Sequence, residues 1–230
     1  MTEQAFNLLN MSSRKKAPPD EDLSTRARIR DAAVACFGER GFGVTVRAIA
    51  DRAGVSPGLV IHHFGSKAKL REACDEHVRR VVYETKKESV SRPSADGMAR
   101  SLQEIDRYSG LLAYLFRSMQ TGGDLGRHLY EAMVDDVQSY LELGVREGTV
   151  RPSRDPAKRA RWLAANGFGS LLVLATMYQD QENPDFGRVL RDWQEQYVLP
   201  ALEVYTEGLL VDRTMLDGYL LYVSDPPAER

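Results

Sequence analysis

The stretch GVSPGLVIHHFGSK, residues 54–67, decides how the rest of the sequence is interpreted. Ser56 is a natural N-cap, and Pro57 stands at the first helical position, where a missing N–H costs nothing. With glycines at both ends, the pattern predicts a short helix over Pro57–Phe64. This helix carries two adjacent histidines and no acid, and a lysine follows it. Three interpretations are open: a surface that meets phosphate, a metal site, or a solvated turn.

A second short helix precedes this one. Thr45 can cap it, and its apolar residues Ile49, Ala50 and Ala53 face inward. Two short helices joined at AGVS, with Gly54 in the tight turn, form the arrangement of a helix-turn-helix. In that motif the second helix enters the major groove and presents its N-terminal residues to base edges. Val60 and Phe64 are expected to face inward.

The chain before this pair predicts one longer helix. Ser24 can cap it, and its apolar residues follow helical spacing at Ile29, Ala32, Ala33, Cys36 and Phe37. Residues 1–22 contain the basic triplet Arg14, Lys15 and Lys16 and the pair Pro18-Pro19, and we expect a mobile arm there.

The chain after it predicts only helices. Ser66 caps a long fourth helix with an apolar stripe at Leu70, Ala73, Cys74, His77, Val78, Val81 and Val82. Pro93 and Gly97 predict a break, after which SLQEIDRYSGLLAYLFRSMQ reads as one helix ending at Gly122-Gly123. Asp124 and Asp155-Pro156 are predicted to open the next two helices.

A last long helix is predicted from near Asp185 to Leu210, with inward residues Phe186, Val189, Leu190, Trp193, Tyr197 and Val204. Pro200 should kink it, and a short tail helix over 212–223 follows. No stretch alternates as a strand does, and no internal repeat is present. The fold class is therefore all-α, with nine or ten helices.

Composition narrows the class of protein. The 230 residues are 43% apolar and 28% charged, which suits a globular chain. No apolar run approaches the roughly 18 residues of a membrane span, and the N-terminus lacks the residue order of a signal peptide. We expect a cytoplasmic protein without a membrane partner. The net charge of −2 divides into +4 over residues 1–70 and −6 over the rest, which indicates that only the first part meets an anion.

Other kinds of site have weaker support. Adjacent residues of a helix diverge by about 100°, so His62 and His63 cannot easily share one metal ion. Cys74 and His77 could share a ligand site, but nothing completes a tetrahedron, and a packed pair is the alternative we favour. Cys36 and Cys74 are expected in the core. The sequence contains no phosphate loop, G-x-S-x-G or H-E-x-x-H motif, so no catalytic residue, metal or cofactor is predicted.

The segment GFGVTVRAIADRAGVSPGLVIHHFGSKAKL, with its closing HF-x-SK, resembles the DNA-binding segment of the TetR family of transcriptional regulators. The resemblance covers about 47 residues from Ser24 to Leu70; the position after the closing lysine, acidic in many members, is Ala68. Besides the flexible basic arm expected from composition over 1–22, the resemblance implies a helix-turn-helix domain over 23–70 and a helical effector-binding and dimerisation domain over 71–230.

The resemblance also implies the residues that contact DNA. They are Thr45, Arg47, Ser56, Pro57, Gly58, Leu59, Ile61, His62, His63 and Lys67. Ile61 stands where the family usually has a tyrosine that reaches a phosphate, and it can offer only apolar contact, for instance to a thymine methyl. Leu59 replaces a more usual small polar residue. Base reading is therefore expected to depend on Arg47, with DNA shape contributing.

The larger part is rich in methionine and aromatic residues, which suits an adaptable apolar pocket, although plain core is the alternative for each residue. The predicted ligand-binding residues are Tyr108, Tyr114, Met119, Gln120, Tyr130, Met133, Trp162, Asn166, Phe168 and Met177. Gly167 and Gly169 lower helix propensity by about 1 kcal/mol each, which calls for close helix approach or room for a ligand.

By resemblance, the protein is expected to be a homodimeric repressor on near-palindromic double-stranded DNA. A small apolar or amphipathic molecule would release it. The helices near 158–178 and 185–210 would form the dimer surface. The alternative is a helical adaptor or small-molecule binding protein that does not bind DNA.

Overall fold

The computed structural model describes residues 19–121, 123–177 and 185–224. Within those ranges the protein has ten α-helices, one 3₁₀ turn and no strand, which confirms the all-α class. The helices are α1 Pro19–Arg40, α2 Val46–Ala53, α3 Pro57–Phe64, α4 Lys67–Ser91, α5 Ala95–Gln103, α6 Ser109–Gln120, α7 Gly123–Arg146, α8 Pro156–Met177, α9 Phe186–Thr206 and α10 Thr214–Ser224, with the 3₁₀ turn at Ile105–Tyr108. None of the helices in the described ranges is long and apolar enough to cross a membrane.

The chain forms two compact units. The first contains the residues up to Glu88 and those from Gly110 to Asp136, so it holds α1–α3, most of α4, α6 and the first half of α7. The second contains residues 89–109 and everything from Val137 onward. These two units are defined by packing, whereas the boundary predicted at residue 70 separates the segment expected to bind DNA from the rest of the chain. The predicted boundary is therefore not tested by these units and remains a proposal.

The first unit has a continuous apolar core. The predicted stripe of α1, Ile29 to Phe37, is buried, as are Ile49, Ala50 and Ala53 of α2. Val60 and Phe64 of α3 and Leu70, Cys74 and Val78 of α4 are buried as well. The inward faces predicted for α1, α2 and α3 are therefore confirmed, and that of α4 in part, since Ala73, His77, Val81 and Val82 are only half-buried. Both cysteines are free and buried.

The start of α1 differs from the prediction. The helix begins at Pro19, so Ser24 lies inside it and residues 19–22 are not part of an arm. A proline is tolerated in the first turn of a helix, and an acidic residue such as Asp22 is favourable beside the positive N-terminus. The basic triplet Arg14–Lys16 lies outside the described residues.

Three other boundaries differ from the prediction. The break predicted at Pro93 is present between Ser91 and Ala95, but Gly97 lies inside α5, where its N–H donates to the Ser94 hydroxyl at 3.1 Å. The single helix predicted from Ser101 is divided instead by the 3₁₀ turn at Ile105–Tyr108. No glycine or proline marks this turn, so the sequence carried no signal for it. Asp124 was predicted as a cap, but α7 already begins at Gly123.

In the second unit, α8 and α9 begin as predicted. The Asp155 carboxylate accepts from the N–H of Lys158 at 2.9 Å, and the Asp185 carboxylate accepts from the N–H of Arg188 at 3.0 Å. Helix α9 continues through Pro200 but ends at Thr206, and Gly208 follows with φ +85°. Phe186, Val189 and Leu190 are buried, as predicted.

The far half of α9 departs from its predicted face. Val204 was expected inward and is exposed, together with Leu199, Leu202 and Tyr205. The apolar spacing of α9 therefore continues past the point where its own unit covers it. The tail helix predicted over 212–223 is present as α10.

Candidate nucleic-acid interface

The turn between α2 and α3 is built by local rules. Gly54 has φ +66°, and its N–H donates to the carbonyls of Ala50 and Asp51. The N–H of Val55 also donates to Ala50, at 3.0 Å. Ser56 then caps α3, since its hydroxyl accepts from the N–H of Leu59 at 3.2 Å. This geometry ends α2 at Ala53 and starts α3 at Pro57, with only three residues between them.

The outward side of α3 is small and mostly exposed. Ser56, Pro57, Gly58 and His62 are exposed, Ile61 is 43% exposed, and Leu59 is half-buried. A Cβ added at Gly58 would meet only the Ser56 hydroxyl, at 3.9 Å. Packing within the chain therefore does not require a glycine at this position. The missing side chain leaves room for another molecule to approach the start of the helix.

Helix α2 contributes two further exposed residues from the predicted set. The Thr45 hydroxyl caps the helix by accepting from the N–H of Ala48 at 3.2 Å. Arg47 is exposed and forms no ion pair with any described residue. Arg52, one turn later, pairs with Glu39 at 2.5 Å. Of these two arginines, Arg47 is the one whose charge is available to an outside partner.

His63 is placed differently from its neighbours. Its side chain is only 5% exposed, and its Nδ1 lies 3.6 Å from the Asp22 carboxylate of α1. The adjacent His62 ring points elsewhere, with the two ring planes 69° apart. The imidazole of His63 therefore faces the interior of the first unit, and a direct DNA contact would require it to leave Asp22. Among the described residues, no three Asp, Glu, His or Cys side chains form a group that could hold a metal ion.

Lys67 is engaged by the loop that precedes α2. Its Nζ donates to the carbonyl of Phe42 at 2.6 Å. The Arg71 guanidinium lies 3.5 Å from the centre of the Phe42 ring, and Tyr114 of α6 contacts the same ring edge-on at 5.7 Å. Three side chains from α4 and α6 thus hold the Phe42 loop, and this loop leads directly into Thr45. Two of the three Lys67 donors remain for a phosphate.

Two arginines of α1 hold the C-terminal ends of α2 and α3, and neither was predicted from the sequence. Arg28 donates to the carbonyl of Ala53 at the end of α2, at 3.1 Å. Arg26 donates to the carbonyl of His63 in the last turn of α3, also at 3.1 Å, and stacks 4.6 Å above the Phe64 ring. Basic side chains are favourable at helix C-termini, but the carbonyls that Arg26 and Arg28 contact are 37 and 25 residues away in the sequence, so no local pattern signalled this role.

Comparisons with known proteins identify the family to which the chain belongs. Residues 29–74 match the sequence model for "Bacterial regulatory proteins, tetR family", and residues 106–211 match that for "Tetracyclin repressor-like, C-terminal domain". The chain is 50% identical over 200 residues to the HTH-type transcriptional regulatory protein RaaS of Mycobacterium tuberculosis, covering 86% of this chain and 93% of RaaS. The chain belongs to the TetR family of transcriptional regulators.

Two further relatives support the assignment to the TetR family. The HTH-type transcriptional repressor AcnR of Corynebacterium glutamicum is 32% identical over 196 residues, covering 84% of each chain. The solved structure of SmeT, the repressor of the multidrug efflux pump SmeDEF of Stenotrophomonas maltophilia, matches with a TM-score of 0.50. Its identity is 26%, covering 74% of this chain and 86% of SmeT. TetR-family regulators bind operator DNA and small-molecule effectors and act as dimers.

The residues predicted to bind such an effector are spread over both units. In the first, Met119, Tyr130 and Met133 are half-buried, and Gln120 is exposed and accepts from Arg117 at 3.2 Å. Tyr114 is fully buried against Phe37 and Phe42, so it belongs to the core of this TetR-family protein. The structure therefore favours the alternative that Tyr114 is a core residue over a role in ligand binding.

In the second unit, Tyr108 and Phe168 are half-buried. Trp162 and Met177 lie on the open side of α8 and are 54% and 69% exposed. Asn166 is exposed on the same side and donates to the Trp162 carbonyl at 2.8 Å. A Cβ added at Gly167 or Gly169 would meet no described atom within 4 Å. This side of α8 has the character of an uncovered surface more than of a pocket wall.

Burial raises the pKa of two side chains of α4 in the first unit, Cys74 and Asp75. Desolvation raises the pKa of Cys74 to about 12, and its Sγ lies 3.7 Å from the Arg30 carbonyl. His77, three residues on, is half-buried between Asp31 and Arg80. Burial also raises the pKa of Asp75, although the hydrogen bond that Tyr114 donates to it, at 2.6 Å, opposes the rise.

Proposed function

We propose that this TetR-family protein is a repressor that binds a near-palindromic operator as a two-fold dimer and leaves it when a small apolar or amphipathic molecule binds. The observation that carries the proposal is the exposed start of α3, with Gly58 unfilled and Arg47 unpaired beside it. One helix-turn-helix reads only a few base pairs, so two are needed, about one helical turn apart or a multiple of it. AcnR and SmeT, similar over most of this chain, are both named as repressors.

The proposed contacts with DNA divide into two kinds. Arg47 and the exposed side of α3 would meet base edges, with Ile61 giving apolar contact. Lys67 and the N–H groups at the start of α3 would meet phosphates, which position the protein without reading sequence. His63 would act indirectly, by holding the end of α3 near Asp22.

The dimer surface is proposed on α8 and α9. Trp162, Asn166, Gly169, Val173 and Met177 follow one another at spacings of four, three, four and four, so they share one face of α8. This face is open in the described part of the chain. Such an apolar stripe supports a contact with a second copy, and it explains why helix-weakening glycines are tolerated there.

The release signal is proposed to pass through α4. This helix is continuous from Lys67, which holds the Phe42 carbonyl, to its last turn. In the second unit, the Thr149 hydroxyl donates to the Val90 carbonyl at 2.6 Å. Gly144 packs so closely that an added Cβ would lie 2.8 Å from Val90. A ligand that displaced the far end of α4 would therefore move the groups that set the Phe42 loop.

The experiment is a linkage measurement. Fluorescence anisotropy with DNA from upstream of the protein's own gene gives the operator affinity, and a thermal-shift screen of apolar compounds supplies the effector. A 100-fold loss of DNA affinity requires the effector to prefer the released state by about 2.7 kcal/mol. By reciprocity, operator DNA must weaken effector binding by the same factor. Equal effector affinity with and without operator would exclude the release mechanism, and absence of sequence-preferring DNA binding would favour the adaptor alternative.

A further inference from the structure

The end of the described chain carries a long apolar surface. It runs from Leu209 through Val211 and along α10, where Met215, Tyr219 and Leu221 are exposed. Leu209, Met215 and Leu221 are 81%, 72% and 73% exposed, respectively. Between Leu209 and Val223, nine large apolar residues are at least 40% exposed, and exposed apolar surface concentrated in this way marks an interaction site.

The described part of the chain does not cover this segment. Every described residue of α10 except the half-buried Leu220 is exposed, so the helix is uncovered on nearly all sides. An isolated helix of 11 residues is marginal in water. A helix this short and this apolar therefore needs a surface to pack on, and that surface must come from elsewhere.

The charge of this segment restricts which kind of partner surface can cover it. Residues 209–224 contain two acids, Asp212 and Asp217, and one base, Arg213. Helices that lie on membranes or contact nucleic acid are rich in Lys and Arg, so a segment with one base and a net charge of −1 is poorly suited to either. Helix α8 has the opposite balance, with three basic residues and no acid. Its open apolar face combined with positive charge is complementary to an apolar segment with negative charge.

The segment also continues the α9 part of the surface proposed for dimerisation. Leu199, Leu202 and Tyr205 in the last turns of α9 are exposed, and Leu209 follows three residues after the helix ends at Thr206.

We infer that residues 209–224 pack against a second copy of this chain and extend the α8–α9 dimer surface, so that each copy covers the segment of the other. The inference rests on the proposed dimer. The contact is isologous, because two-fold symmetry places the same residues on both sides. Any change in the segment therefore acts twice in each dimer.

The first test is the dimer dissociation constant of the full chain from sedimentation equilibrium. Tyr219→Asp combined with Leu221→Asp places charges in the apolar contact and should weaken dimerisation at least tenfold. Ala95→Asp is the control, because Ala95 is exposed in the first turn of α5, outside the inferred contact, where an acid is tolerated; it should leave the constant unchanged. If the double variant dimerises as tightly as the wild type, the inference is overturned.

The second test is amide hydrogen exchange of residues 209–223 at protein concentrations above and below the dissociation constant. Protection that appears only with dimer formation supports the inference, and equal protection in the monomer would overturn it in favour of packing within one chain. Flotation with phosphatidylglycerol vesicles should show no binding; binding lost in the double variant would overturn it in favour of a membrane. Failure of the proposed dimer itself is distinguishable, because the wild type would then sediment as a monomer.

Discussion

Arg47 and Lys67 both carry positive charge beside the proposed DNA surface, yet their surroundings assign them different roles. Arg47 has no ion-pair partner among the described residues and its guanidinium has two parallel donor pairs, a geometry that suits a guanine edge. Lys67 already donates to Phe42 and keeps two donors, which suits a phosphate. Replacing each residue by alanine should therefore change DNA binding in a different way.

Arg47→Ala should reduce preference for the operator over unrelated DNA by about 1–3 kcal/mol, because a base contact is lost. The measurement is competition binding with operator and scrambled duplexes at one salt concentration. Arg52→Ala is the matched control on the same helix, since Arg52 is paired with Glu39, and its sequence preference should stay at the wild-type value. Unchanged preference in Arg47→Ala would remove Arg47 from base reading.

Lys67→Ala should weaken binding to all duplexes alike. If Lys67 meets a phosphate, the slope of log affinity against log salt should fall by about one unit. The bond to Phe42 makes a second result possible, in which affinity falls but the slope does not. That outcome would assign Lys67 to holding the Phe42 loop and would contradict the phosphate contact.

Asp75 gives a pH-dependent prediction. Its folded pKa is raised by burial, so between the ordinary carboxyl pKa of about 4 and the raised value the native state binds more protons than the unfolded chain. The stability from protonated Asp75 is therefore present at low pH and is lost as pH rises through that window. Asp75→Asn should remove this loss, as measured by urea unfolding from pH 4 to 7. Tyr114→Phe deletes the hydrogen bond that keeps the pKa of Asp75 from rising further, so the pH range over which stability is lost should extend to higher pH. Identical dependence of stability on pH in the wild type and both variants would contradict the assignment of this effect to Asp75.

The residues that the sequence could predict are those whose partners lie within a turn. Thr45 and Ser56 act on N–H groups three residues ahead, so spacing alone identifies them. His63 and Lys67 find their partners, Asp22 and Phe42, 41 and 25 residues away. Only the folded chain brings those groups together. That is why the resemblance could place both residues beside DNA without showing that the His63 side chain faces inward.

Helix α3 shows how much of an element local chemistry determines. Its cap, its proline and its bounding glycines place it at Pro57–Phe64, the predicted range. Longer elements were harder, because tertiary contacts decide their ends. The division between α5 and α6 at Ile105–Tyr108 has no glycine or proline, and the Arg191 guanidinium of α9 reaches Asp106 of that turn at 2.7 Å. A contact 85 residues away in the sequence leaves no local pattern.

Gly54 and Gly58 make opposite predictions although they are four residues apart. Gly54→Ala forces a side chain into the left-handed region and should destabilise the fold by about 1–2 kcal/mol. The methyl group of Gly58→Ala would make only an ordinary contact with the Ser56 hydroxyl at 3.9 Å, and replacing glycine in a helix should stabilise the fold by up to about 1 kcal/mol. Chemical denaturation measures both changes. Gly58→Ala should nonetheless bind operator more weakly, because its methyl group would meet DNA; wild-type affinity would show that α3 does not approach DNA at this residue.

For the whole molecule, the open face of α8 is the feature that most needs a partner. Val173→Asp places a charge in the middle of that face and should convert the dimer to a monomer at micromolar concentration, with at least 100-fold weaker operator binding. Val173→Ala is the control, since it removes only two methyl groups and should keep the dimer. Analytical ultracentrifugation and anisotropy report the two effects. Tight operator binding by a monomeric Val173→Asp protein would contradict the two-fold arrangement.

The two buried cysteines have a practical consequence. Cys36 and Cys74 are the only thiols in the chain, and both lie in the core beneath the helix-turn-helix. With a pKa near 12, the Cys74 thiol forms almost no thiolate at neutral pH, so alkylating reagents and cellular oxidants can modify it only after that core opens. The rate of thiol labelling therefore measures how often the core of the first unit opens. The same burial should keep both native thiols out of reach when a fluorophore is attached through an added surface cysteine in the folded protein.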